Sequence, residues 1–455
     1  MLPTITFTTT PTDHPTDLLA AAQAAQADAG GPGDAAGAAG AAGAEPLAWL
    51  RRGDGFVGLG EAARFETSGP RRFGAAEDWW RAVLARATIN GPADHPGMGP
   101  LALGAFAFSP ASAEPSVLVV PRTLIARHRG REWITTADAA GCEAAPAPVP
   151  TDQGRGRPRP RPAGDAAPPQ AMTESPGPVA AADWPAVVRR GIGLIEAGGL
   201  DKVVLARSVV AHAAAGRIDP QAVLAFLAGH YRDTWTFAVD GLIGATPELL
   251  IRSSRGLVTS RVLAGTIRRR GSDQANLARA AALARSSKDL EEHEFAVASV
   301  VAALAPLVEE LAVPDIPSVL HLPNVMHLAT DVVGELKRTP GGRLPGALSL
   351  VAALHPSAAV CGTPAAEAAR VIGQLEGRDR GRYSGPVGWI DANGAGEWGI
   401  ALRCAQLSPD RREARLWAGG GIVAASDPAA ELAETEAKLA PMRQALGLGE
   451  PPGPA

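Results

Sequence analysis

Apolar positions along the chain repeat with two different spacings, and the spacing marks the elements. Residues 181–197 place apolar side chains at three- and four-residue steps and predict a helix, whereas 202–210 (KVVLARSVV) is a short apolar run that predicts a strand. At 220–227 a helix is expected, with Asp219 as its N-cap and Pro220 at its first position. Residues 236–239 and 248–252 read as strands of an antiparallel meander, and 276–311 as one long helix with few breakers. Further strands are expected at 382–391, 399–407 and 414–418. The last helix is expected at 427–446, where Ser426-Asp427-Pro428 supplies a cap and an N1 proline. Upstream, 116–121 and 132–136 are short, β-rich and bounded by turn residues. Strand groups alternating irregularly with long helices predict an α+β architecture rather than a βαβ repeat.

Two stretches break the pattern. Residues 19–45 are nearly all Ala, Gly, Asp and Gln around Gly-Gly-Pro-Gly, and read as a flexible surface insertion. Residues 145–180 hold GRGRPRPRP and read as an extended, solvated linker. Three parts follow: a variable N-terminal part at 1–144, the linker at 145–180 and a main region at 181–447.

Composition narrows the classes. At 455 residues and 46% apolar content the chain can bury a sizeable core, and a net charge of −4 gives no general case for nucleic acid or an anionic membrane. The arginines of the linker have no interleaved aromatics for base stacking, so nucleic acid is not expected as a partner. No apolar run reaches the ~20 residues that span a bilayer, and no signal peptide is read at the N-terminus, so a cytoplasmic protein is expected. Three widely spaced cysteines suggest neither a disulfide framework nor a zinc site.

The cations are skewed. Of 43 Lys and Arg, only Lys202, Lys288, Lys337 and Lys438 are lysines. Arg stays charged, whereas a lysine can give up its proton and act as a base. Desolvation would lower the pKa of Lys202 in its apolar strand and raise that of Glu248, the directions required of a base and an acid near pH 7. Glu431, Glu434 and Lys438 share one face of the last helix, and Asp289 and Glu292 lie three apart on the long helix. Each group alone also fits a solvated charged face; two carboxylate pairs together suggest a hard cation with oxygen ligands. Gly-rich turns are expected at 264–266, 362–364 and 418–421, where backbone N–H groups could approach an anion.

Taken together, LDKVVLARS (200–208), GATPELL (244–250), LAGT (263–266), SKDLEEH (287–293), LHPSAAVCGTP (354–364), RYSGPVGWID (382–391), IALRCA (400–405) and AGGGIVAASDPAAELAETEAKL (418–439) resemble the chorismate-utilising enzymes. The resemblance covers about residues 184–446. It implies an α+β fold in which two antiparallel sheets and flanking helices enclose a deep site. It also implies Mg²⁺ held by Glu292 and Glu434, with Asp289 and Glu431 as nearby or water-mediated partners. Lys438 and the backbone at Gly265, Thr266, Gly419 and Gly421 would hold the ring carboxylate of chorismate. Tyr383 and Arg403 would hold its enolpyruvyl carboxylate.

Members that add water at C2 of the ring carry a lysine where Lys202 stands, and ammonia-using members typically do not. Aminodeoxychorismate synthases usually carry a nucleophilic lysine where this chain has Ala264. The resemblance therefore implies isomerisation of chorismate to isochorismate without a glutamine amidotransferase subunit, and, since family members are often monomers, a monomer is expected. Lys202 would be the base toward water and Glu248 the acid toward the C4 hydroxyl. Two alternatives stay open: a salicylate synthase, which goes on to release pyruvate, and a non-catalytic ligand-binding relative. The isochorismate could feed menaquinone or a catecholate siderophore.

Overall fold

The computed structural model describes residues 2–12, 18–21, 46–93, 95, 98–139, 171–269, 272–322 and 325–449. The N-terminal part runs β1 (Ile5–Thr12), β2 (Leu47–Arg51), β3 (Asp54–Thr67), α1 (Arg72–Leu84), β4 (Thr88–Asn90), β5 (Leu101–Ala105), β6 (Ser116–His128) and β7 (Arg131–Ala139). Next come β8 (Met172–Pro176), α2 (Trp184–Glu196), β9 (Lys202–Ala213), α3 (Pro220–His230), β10 (Trp235–Val239), β11 (Leu242–Thr246), β12 (Leu249–Ser254) and β13 (Leu257–Arg268). Then follow α4 (Asp273–Leu283), α5 (Ser287–Leu304), β14 (Val308–Ala312), β15 (Ser318–His321), β16 (Val325–Leu336), α6 (Ala347–Leu354), β17 (Gly362–Thr363) and α7 (Ala365–Leu375). The chain closes with β18 (Pro386–Asp391), β19 (Gly396–Ile400), β20 (Cys404–Leu407), β21 (Glu413–Ile422) and α8 (Pro428–Ala445).

The architecture is α+β, as expected: a large, almost wholly antiparallel sheet with flanking helices. The two sheets expected are two runs of strands joined into one network. One run passes β7, β6, β3, β2, β10, β11, β20, β21, β9 and β8; the other passes β6, β5, β18, β19, β12, β13 and β16. Strand β6 belongs to both, and its long partner β3 carries a register shift between Glu61 and Ala63. The N-terminal part is therefore built into the same sheet as the main region, through β2 on β10 and β5 on β18.

Local chemistry accounts for most boundaries. Asp219 and Asp427 cap α3 and α8, accepting from the N–H groups of Gln221 and Ala430, with proline at N1 in both. The long helix expected at 276–311 is instead two helices and a strand. Ser286 caps a new helix by accepting from Asp289 N–H, and Pro306 precedes the edge strand Val308–Ala312. A serine fits the polar face of a continuing helix as readily as an N-cap, so periodicity alone does not locate that break.

Other expected bounds shift as well. The strand placed at 382–391 begins only at Pro386: Ser384 has φ +61°, and Gly385 packs so close to Phe106 that a Cβ would lie 1.9 Å from its carbonyl oxygen. The strand placed at 399–407 is split at Arg403, whose φ of +49° takes it out of the ladder. The strand expected at 414–418 runs on to Ile422, so 418–421 is not a turn but strand paired with β9. Likewise 264–266 lies within β13, where Gly265 (φ +74°) makes a bulge. Of the expected linker, 145–170 lies outside the described residues, and Met172–Pro176 is a strand on β9. Most of the expected 19–45 insertion also lies outside them. No helix among the described residues is long and apolar enough to cross a membrane.

Candidate active site

Strand β9 opens on Lys202, and both faces of its first ten residues are buried. The Lys202 side chain is wholly buried, and its Nζ lies 3.2 Å from Glu292 Oε1 of α5, at an angle too poor for a hydrogen bond. Such proximity requires Gly421 on the neighbouring strand β21. A Cβ there would lie 2.3 Å from Glu292 Oε1 and 2.9 Å from Lys202 Cε. Next to it, a Cβ on Gly420 would lie 2.8 Å from Glu431 Oε2 and 3.6 Å from Glu434 Oε1. Strand β21 thus lacks side chains where acidic groups of α5 and α8 lean on it. At the bulge in β13, a Cβ on Gly265 would lie 3.0 Å from Asp289 Cβ. Asp289 in turn accepts from the Ser286 hydroxyl.

Lys438 pairs with Glu434 one helical turn earlier, at 2.5 Å, and donates to the Gly419 carbonyl at 2.8 Å. Gly419 therefore presents its C=O to the lysine, whereas the resemblance implies that its backbone holds the substrate carboxylate. Thr266 Oγ1 lies 3.0 Å from His327 Nδ1, and His327 Nε2 lies 3.3 Å from Arg403 Nη2. A guanidinium can only donate, so Nε2 accepts and Nδ1 carries the ring proton toward Thr266. Burial, then Arg403 and Lys438, hold the His327 pKa well below its ordinary range, consistent with that neutral tautomer.

Glu248 follows Thr246-Pro247 at the corner between β11 and β12 and is nearly buried. Burial pushes its carboxyl up to about 8; Lys202, Arg403 and Lys438 pull the other way without winning. At pH 7 Glu248 is thus mostly protonated and able to donate. Tyr383 is buried and stacked on Trp417, with centroids 5.6 Å apart and planes 5° apart, and burial raises its hydroxyl to about 12. Tyr383, Glu434 and Glu248 all lie within electrostatic reach of Arg403, whose pKa burial lowers.

The structure thus brings Lys202, Glu248, Glu292, Glu434, Lys438, Arg403 and Tyr383 into one electrostatic neighbourhood, with Gly265, Thr266 and Gly421 in its walls. It does not draw the four carboxylates together: no three His, Cys, Asp or Glu among the described residues are grouped to hold a metal. Sequence reasoning missed His327. Its signal was a polar residue inside the apolar run of β16, VMHLA, which strand periodicity does not require. The side chain of Lys288 lies outside the described residues.

The family described as "Chorismate binding enzyme" matches residues 47–447. The chain belongs to the chorismate-binding enzymes. Among relatives, it is 33% identical over 436 residues to the salicylate biosynthesis isochorismate synthase of Pseudomonas aeruginosa, covering 89% of this chain and 86% of that one. It is 40% identical over 278 residues to isochorismate synthase DhbC of Bacillus subtilis, covering 58% and 68%. Its fold is similar to that of MenF, the menaquinone-specific isochorismate synthase of Escherichia coli, with a TM-score of 0.74 at 24% identity over 98% of this chain and 96% of that one.

For a chorismate-binding enzyme the donor set suits a hard divalent cation in kind. Carboxylates from α5 and α8 flank a strand whose glycines leave the space a Cβ would fill. In the present arrangement the side-chain nitrogens of Lys202 and Lys438 stand beside two of those carboxylates, Glu292 and Glu434.

Proposed function

We propose that this chorismate-binding enzyme converts chorismate to isochorismate. The observation that carries the reading is the buried pair Lys202 and Glu248: an amine beside a carboxylate, and a carboxyl that keeps its proton at neutral pH. Lys202 acts as the base and takes a proton from a water attacking C2. The ring double bonds shift, and Glu248 gives its proton to the C4 hydroxyl, which leaves as water. One water enters and one departs, so substrate and product are isomers.

Arg403 and Tyr383 bind the enolpyruvyl carboxylate. Lys438 turns from Gly419 to share the ring carboxylate with the backbone at Gly265, Thr266, Gly419 and Gly421. Glu292 and Glu434 would hold Mg²⁺, with Asp289 and Glu431 close by or acting through water; when bound, the ion neutralises and orients the substrate carboxylate. Lys202, together with Ala264 before Gly265, supports a water-using enzyme that works without a glutamine amidotransferase subunit. The test is incubation with chorismate, with and without Mg²⁺, measuring isochorismate, salicylate and pyruvate together. Isochorismate without pyruvate is expected. Stoichiometric salicylate and pyruvate would make it a salicylate synthase, and undiminished turnover in EDTA would refute the carboxylate site.

A further inference from the structure

The corner that carries Glu248 is braced from behind by the N-terminal part of the chain. Glu397, the second residue of β19, is nearly buried, and its Oε1 accepts two indole N–H groups, from Trp49 at 2.7 Å and Trp235 at 2.6 Å. Its Oε2 accepts from Arg252. Trp49 belongs to β2, where it stands opposite Phe237 of β10, and it is 2% exposed. The far edge of its ring lies over Gly399. A Cβ on Gly399 would be 3.2 Å from Trp49 Cη2, 2.9 Å from Thr246 Cγ2 and 3.0 Å from the Glu248 carbonyl oxygen. The next residue, Ile400, donates its N–H to that carbonyl at 3.1 Å, and Glu248 N–H donates to Thr246 Oγ1 at 3.2 Å. Ring and corner therefore crowd the same side of Gly399 and leave no room for a side chain there, and the hydrogen bond to Glu397 fixes the ring.

We propose that Trp49 is a positioning residue for Glu248, holding the Thr246–Glu248 corner through its ring contact with Gly399 and its hydrogen bond to Glu397. This rests on the reading of Glu248 as the proton donor. It gives the N-terminal part of the fold a task in the reaction, although none of the proposed catalytic or substrate-binding residues lies there. An acid that must meet a leaving hydroxyl at hydrogen-bond distance tolerates little displacement. The charges acting on Glu248 are Lys202 of β9, Arg403 of the turn after β19 and Lys438 of α8. All three remain when Trp49 is replaced, so a change at Trp49 reports on position and water access.

The test uses the full chain with Trp49→Phe, which keeps a ring and loses the N–H, and Trp49→Ala, which loses both. With Trp49→Ala, kcat should fall by about 10- to 100-fold while KM for chorismate stays within about threefold. The alkaline limb of kcat/KM should move to lower pH as water reaches the carboxyl. With Trp49→Phe the same changes should appear in smaller measure, a kcat loss of about fivefold, the equivalent of one hydrogen bond. Should Trp49→Ala not fold, Trp49→Phe decides alone. Wild-type kcat with an unmoved alkaline limb overturns the inference, and so does a kcat loss that only tracks the folded fraction. Glu248→Gln, measured alongside, separates the two readings. If it still turns over, the assignment of Glu248 fails. If it is dead while both Trp49 variants are normal, only the role of Trp49 fails.

Discussion

Glu248→Gln should remove activity and stabilise the fold, and the second effect should depend on pH. The glutamate titrates at about 8 in the folded chain against an ordinary value of 4.5, with burial as the main cause. The folded chain therefore holds this proton more tightly than the unfolded chain does. Between pH 4.5 and 8 unfolding releases a proton, and stability falls as pH rises. A gap of this size corresponds to a penalty on the order of 4–5 kcal/mol once the pH is above both values. Glutamine has no proton to lose, so the variant escapes the penalty. Its Tm should match that of the wild type near pH 4.5 and exceed it by several degrees at pH 8, read by circular dichroism in matched buffers. Chorismate turnover should fall by about 10²- to 10⁴-fold, the usual weight of a general acid, and wild-type kcat/KM should decline above about pH 8 as the acid ionises. A Tm difference that stays flat from pH 5 to 8 would refute the claim that Glu248 is buried in a charge-excluding site.

Gly421→Ala would place a methyl where Glu292 and Lys202 now stand, 2.3 and 2.9 Å from the new carbon. A shift of about 1 Å in either group should lower kcat by about 100-fold with little change in Tm, since both contacts are side-chain ends. Lys202→Ala and Lys202→Arg should both abolish isochorismate formation, because neither leaves an amine that can lose a proton; turnover by the arginine variant would disprove the base. Asp427→Ala removes the side chain that caps α8 and should destabilise the fold by about 1 kcal/mol in urea titration.

Much of the candidate site was legible because its residues sit in contiguous motifs. Lys202, Glu248, Tyr383, Arg403 and Lys438 each lie in a short segment with its own local signature, and helix caps such as Asp219 and Asp427 depend on neighbours along the chain. What escaped depends on distant partners. His327 shows its place only when Thr266 and Arg403, 61 and 76 residues away, come within hydrogen-bond reach. Residues 419–421 look like a turn by composition. They form strand because β9 supplies a ladder on one side, and because bare backbone lets carboxylates from two helices approach. The split of the helix expected at 276–311 followed the same rule: Val308–Ala312 adds to β16, a pairing that no local period predicts.

The distribution of cations in the site follows from the same physics. Arg403 lies beside His327 and feels Tyr383, Glu434 and Glu248. Burial lowers its pKa, yet a guanidinium that starts so high still carries its charge, and a permanent charge suits the carboxylate-binding role proposed for it. Lys202 is buried with a carboxylate as its neighbour. An arginine there would form a stronger pair with Glu292 and could never accept a proton from water. In a chain with four lysines among 43 basic residues, an amine at position 202 is therefore hard to explain by packing or charge alone. It is explained if the residue must be neutral at one step and charged at the next.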